Sequence, residues 1–181
     1  MLLVALALVT GSCESGEERS SVPSEPSPVA VLDCDSRVAS TDTAVGAVGQ
    51  LAALTDRAVH QLGDRTVELE GGPTLRFAKI ALSIKNGRSF SIRVSHAEDE
   101  EGREQVARIA WSNSVRDDLP VEEIAVERCF PGDSSWSVYP GGIWTEGAGC
   151  IELTVIPNGS LLNSDAFTLR VPLEAACPSK Q

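Results

Sequence analysis

The chain has 181 residues, 26 acidic against 15 basic side chains, a net charge of −11, 42% hydrophobic residues and only 4% aromatics. That length suits one domain with a tail better than two full domains. The acidity argues against a nucleic-acid partner, which demands clustered Lys and Arg, and the apolar content is too high for a wholly disordered chain.

In chain order, Met1 to Val9 is an uncharged apolar run leading into Thr10-Gly11-Ser12-Cys13. It falls far short of the roughly 20 residues needed to span a bilayer. It reads as the apolar core of a secretory signal, residues 1–12, to be cleaved. The small residues before Cys13 have the character of a bacterial lipobox, which makes Cys13 the expected lipidation site. No Lys or Arg precedes the run, which departs from the usual signal pattern. A plain secretory signal with an incidental cysteine is the competing reading. Residues 13–28 follow as ESGEERSSVPSEPSP after the cysteine, with one aliphatic residue, three prolines and a net charge of −3. Such a segment cannot build a core and reads as an extended tether, able to hold a domain about 40 Å from a membrane. Residues 29–181 are then the folded domain.

Val29 to Leu32 is a short apolar segment. The apolar positions from Ala44 to Leu62 recur at helical spacing, with Thr55 as a candidate N-cap and Gly63 as a stop. They predict one short helix near residues 55–62. Thr66 to Glu70 alternates with period two, and Leu75 to Ile84 does so in its second half. Asn86-Gly87 then signals a tight hairpin into Ser89 to Ser95. Further strands are expected at Val106 to Trp111, Ile124 to Val126, Trp136 to Tyr139, Ile143-Trp144, Cys150 to Ile156 and Phe167 to Leu173. About seven to nine short strands separated by Gly, Pro, Asn and Asp predict a mainly β chain, a β-sandwich or barrel.

Setting Cys13 aside leaves Cys34, Cys129, Cys150 and Cys177. An even count in an exported chain predicts two disulfides, with three possible pairings. Closing a local loop between neighbouring strands favours Cys129 with Cys150, leaving Cys34 with Cys177. No C-x-x-C spacing supports zinc or a redox pair, and no metal or cofactor is implied.

Three of the eight aromatics, Trp136, Tyr139 and Trp144, fall within nine residues. On a loop-rich end they could stack on a carbohydrate or enter a partner groove. Packing in the core beside the expected Cys129–Cys150 disulfide is the reading preferred for them. Glu98 to Glu101 is a run of four carboxylates; consecutive acids seldom converge on one cation, so a solvated loop is expected. His60 and His96 lack any nucleophile motif around them. Asn158-Gly159-Ser160 has the form of a glycosylation sequon and reads as a turn.

Val138-Tyr139-Pro140-Gly141-Gly142, the Gly149-Cys150 step and Leu153-Thr154-Val155 together resemble the end of small immunoglobulin-like domains in uncharacterised lipoproteins of Gram-positive bacteria, especially actinobacteria. The resemblance covers about 25 residues. It implies an immunoglobulin-like β-sandwich, a lipid anchor in the cell membrane and an extracytoplasmic location, and it transfers no catalytic residue. The expected role is a non-catalytic module that binds an envelope protein or carbohydrate or supports envelope assembly. The alternative is an extracytoplasmic hydrolase whose carboxylates are gathered by the fold.

Overall fold

The computed structural model describes residues 29–44, 47, 48, 50–55, 59–112, 119–159 and 165–178. The signal segment, Cys13 and the tether lie outside the described residues, as does Ser160 of the sequon. The protein is mainly β, in an arrangement consistent with a β-sandwich. Fourteen strands occur among the described residues: β1 (Ala30–Val31), β2 (Ala39–Thr41), β3 (Ala47–Val48), β4 (Ala52–Leu54), β5 (Leu62–Glu68), β6 (Thr74–Lys79), β7 (Leu82–Lys85), β8 (Phe90–Glu98), β9 (Ala107–Trp111), β10 (Glu123–Val126), β11 (Trp136–Tyr139), β12 (Gly141–Thr145), β13 (Gly149–Pro157) and β14 (Phe167–Leu173).

They form three sheets, ordered β1-β10-β8-β13-β14, β2-β11-β7-β4-β3 and β5-β6-β12-β9. All pairings are antiparallel except β1 on β10. The second and third sheets are joined through their central strands. β6 passes into β7 across Ile80 and Ala81, and β11 passes into β12 across Pro140, while Ile80 N–H donates to the Gly141 carbonyl at 2.9 Å. Pro140 can sit here because it lies between two ladders and withdraws no donor from either.

Alternation explains the best-defined strands. Phe90 and Ile92 on β8, Leu153 and Val155 on β13, and Leu169 and Val171 on β14 are buried at every second position. They meet Leu82, Ile84, Ile109 and Ile143 from the other two sheets in one main core cluster. The space between the first sheet and the joined pair is stitched at two places. Val121 bridges Ile109, and His60 bridges Leu173 in parallel.

Two local expectations are corrected. The helix expected near 55–62 is absent: there is no α-helix among the described residues, and the helical structure there is 3-10, as in the turn Cys34–Ser36. Ala52–Leu54 is a strand buried at all three positions, and Leu62 opens β5, while Asp56 to Ala58 lie outside the described residues. Burial on both faces erases the period-two pattern, so apolar residues from separate short strands imitate a helical face. Asn86-Gly87 does not close a hairpin between paired strands either. β7 and β8 belong to different sheets, and only Gly87 of the two takes a positive φ, 72°. The turn carries the chain across the sandwich, with Gly87 N–H donating to the Cys129 carbonyl at 2.7 Å and Asn86 N–H to that of Ser135 at 3.1 Å.

Candidate functional site

The cysteines form two disulfides, Cys34–Cys129 and Cys150–Cys177. Two disulfides form as expected, but the favoured pairing, Cys129 with Cys150 and Cys34 with Cys177, is corrected. Cys150 lies at the start of β13, one residue after Gly149, with β14 alongside, so the chain leaving β14 returns Cys177 to it. Cys34 follows β1, which lies beside β10, and Cys129 follows β10 by three residues. Adjacency of strand ends in the first sheet, invisible in the spacing, decides both pairs.

The three aromatics are buried, as the preferred packing reading expects, and they present no exposed platform for a ligand. Trp136 is 8% exposed, Tyr139 and Trp144 0%. They also part company. Tyr139 belongs to the main core and its hydroxyl donates to the Cys34 carbonyl at 3.1 Å. Burial is the leading cause that raises the Tyr139 pKa above its ordinary value. Trp144 belongs to a second, smaller cluster with Leu75 and Ala110, flanked by Val67, Leu69, Phe77 and Val106. Its ring lies 4.8 Å from that of Phe77, and the Arg65 guanidinium sits 5.4 Å from its centroid. Trp136 packs under the Lys85 ammonium at 5.4 Å. The disulfide beside Tyr139 is Cys34–Cys129, not the expected Cys129–Cys150.

A recessed surface feature lies at the acidic run. The β8–β9 connection, Asp99 to Gln105, stands beside the β12–β13 turn, Glu146 to Ala148. Between them is a depression of about 480 Å³ lined by Asp99, Glu101, Arg103, Glu104, Gln105 and Glu146. A second depression, about 390 Å³, lies on the other side of the same acidic loop, walled by Gly149, Cys150 and the segment Ala175 to Pro178.

The walls are built from backbone-directed bonds. Asp99 Oδ1 accepts from the N–H groups of Glu101 at 3.0 Å and Arg103 at 2.8 Å, and its Oδ2 takes Arg103 Nε at 2.6 Å. The backbone bond from Arg103 is the leading cause that lowers the Asp99 pKa below the usual carboxylate value. Gln105 locks the two loops together: Nε2 donates to the carbonyls of Glu98 and Ala148, and Oε1 accepts from Thr145 Oγ1 and Gly147 N–H. Glu146 Oε2 accepts Val106 N–H at 2.6 Å. Nothing in the sequence singled out Gln105, because an amide that satisfies four backbone and side-chain groups has no spacing signature.

The acidic run is therefore a structured loop that its one aspartate, Asp99, closes from within. Glu100 and Glu101 are exposed, as the solvated-loop reading expects, and the Glu101 carboxylate accepts from the Arg103 guanidinium at 2.8 Å. Among the described residues no group of three His, Cys, Asp or Glu is placed to hold a metal ion. His60 is buried at the bridge to β14, whereas His96 is exposed and lies 3.3 Å from Glu98. A third polar cluster surrounds the inter-sheet turn. Asn86 Nδ2 donates to Asp133 Oδ2 at 3.0 Å and Ser135 Oγ at 3.1 Å, and Asp133 Oδ1 accepts Ser135 N–H at 2.8 Å. The bonds from Ser135 are the foremost cause that lowers the Asp133 pKa.

No family model, curated protein or solved structure matches the chain.

Proposed function

We propose that the protein is a lipid-anchored extracytoplasmic module: a signal over residues 1–12, a lipid on Cys13, a tether to residue 28 and an immunoglobulin-like sandwich over 29–181. Cysteine accounting carries this reading. The chain has five cysteines, and the domain consumes four in two disulfides, leaving Cys13 as the odd one. An odd cysteine in an oxidising compartment demands another fate. Thioether attachment of a diacylglycerol at the end of an apolar leader supplies one.

Within that reading the domain is a non-catalytic binding or envelope-assembly unit whose partner is an envelope protein or carbohydrate. The hydrolase alternative would draw on the carboxylates of the loop depression. Asp99, the carboxylate most tightly held there, is tuned away from a general acid, which needs a raised pKa. Expression of Cys13→Ala in a Gram-positive host tests the anchor. The wild-type chain should partition with membranes and carry the lipid mass on its N-terminal peptide, and the variant should appear in the medium. A variant that stays with the membrane overturns the anchor.

A further inference from the structure

The chain contains two Asn-Gly pairs, Asn86-Gly87 and Asn158-Gly159, and the fold treats them in opposite ways. Asn-Gly is the dipeptide most open to spontaneous succinimide formation, since glycine has no side chain to hinder attack by its own backbone nitrogen. The reaction needs a free nitrogen, a movable side-chain amide and access for water.

At Asn86 all three are denied. The side chain is 4% exposed, its Nδ2 is held by Asp133 and Ser135, and Gly87 N–H is committed to the Cys129 carbonyl at 2.7 Å. At Asn158 all three are granted. Asn158 and Gly159 are both exposed at the end of β13. The Asn158 backbone N–H donates to the Ser89 carbonyl at 3.0 Å, which anchors the turn while leaving the side chain out of the bond. Among the described residues neither the Asn158 side-chain amide nor Gly159 N–H has a hydrogen-bond partner. Gly159 takes a φ of 85° with nothing within 4 Å of where a Cβ would be, so the backbone there has room to turn.

We propose that Asn158 is a site of spontaneous backbone modification in the folded protein and that Asn86 is protected by the same fold. The Gly159 nitrogen, giving up its proton to hydroxide, bonds to Asn158 Cγ. The side-chain nitrogen leaves as ammonia, taking its extra proton from water, and a five-membered succinimide remains. Water then opens either of its two C–N bonds. One product is aspartate; the other is isoaspartate, which runs the main chain through the former side chain and lengthens the β13–β14 turn by one methylene. Both add a negative charge to a chain already at −11.

The test is incubation of the full-length, oxidised protein at mildly alkaline pH. Peptide mapping by mass spectrometry then follows acid, isoaspartate and succinimide at each asparagine over time. Position 158 should convert roughly a hundredfold faster than position 86, the factor expected if three net hydrogen bonds must open at Asn86. In the reduced, urea-unfolded chain the two rates should converge to within about threefold, as expected once those bonds are gone. Asn158→Gln should abolish the product at that position and leave the slow rate at Asn86 unchanged. Equal rates in the folded protein, or a gap that persists after unfolding, overturn the proposal.

Discussion

Gly142→Ala is the sharpest test of the packing described above. Gly142 lies in β12, between β6 and β9. A Cβ built on it falls inside contact distance of the Ala78 carbonyl oxygen, closer than any real Cβ comes, and lies 2.8 Å from Phe77 Cε2 and 2.9 Å from Ala78 C. Two of those atoms are main chain, so a side-chain rotation cannot clear the space. Relief requires β6 and β12 to separate by roughly 1 Å, in an interior packed like an organic crystal. That movement loosens the ladder pairing Gly142 with Lys79, Ile143 with Ala78 and Trp144 with Phe77. Losing two ladder bonds costs about 2 kcal/mol. Overpacking adds about 1–3 kcal/mol, for a combined loss of about 3–5 kcal/mol. At a urea dependence of about 2 kcal/mol/M, the midpoint should fall by about 1.5–2.5 M. Gly147→Ala is the matched control, since its Cβ would meet nothing within 4 Å and its φ is not positive. It should shift the midpoint little, or raise it slightly through the unfolded state. Wild-type stability in Gly142→Ala would refute the close approach of β6 and β12.

Three further outcomes are expected. Removing Cys34–Cys129, with a sequence separation of 95, should destabilise more than removing Cys150–Cys177, separated by 27. Chain entropy gives about 4.7 and about 3.6 kcal/mol, and denaturation of the two double-alanine variants would show the order, its reversal counting against these pairings. The lowered pKa of Asp99 means its hold on the acidic loop is complete above the ordinary aspartate value of about 3.9 and is lost as pH falls through the lower folded value. NMR titration of the Glu101 and Arg103 amides should therefore report a midpoint below the ordinary one, and a midpoint at or above it would contradict the bonds to Asp99. The raised pKa of Tyr139 has the opposite sense: stability should decline as pH rises past the free tyrosine value of about 10, and Tyr139→Phe should remove that decline. The same variant should lose about 1 kcal/mol at neutral pH, from the missing bond to the Cys34 carbonyl.

The sequence was most legible where one strand face is buried and the other wet. β8 and β14 could be located from alternation alone, because buried Phe90 and Ile92, and buried Leu169, Val171 and Leu173, fall at every second position with less buried residues between them. It was least legible where both faces are covered. β4 and β12 are buried throughout, so their residue order carries no period. For the aromatics Trp136, Tyr139 and Trp144 the sequence favoured core over platform without deciding it, and burial of all three decided it. The recess beside Glu146 depends on Gln105 and on backbone groups of Glu98 and Ala148, which sequence spacing cannot bring together.

The two disulfides also fix how far the domain can be drawn out under tension. Pulled between residue 29 and residue 178, the load path jumps from Cys34 to Cys129 and again from Cys150 to Cys177. Only the short stretch before Cys34 and the span between Cys129 and Cys150 can lengthen. That is about two dozen residues, or roughly 90 Å of contour, where a reduced domain would release roughly 500 Å. The extensible span carries β11 and β12, each an interior strand of its sheet. Force on an oxidised molecule therefore falls on β11 and β12 first, and a domain anchored to a moving surface would behave as a short, stiff link.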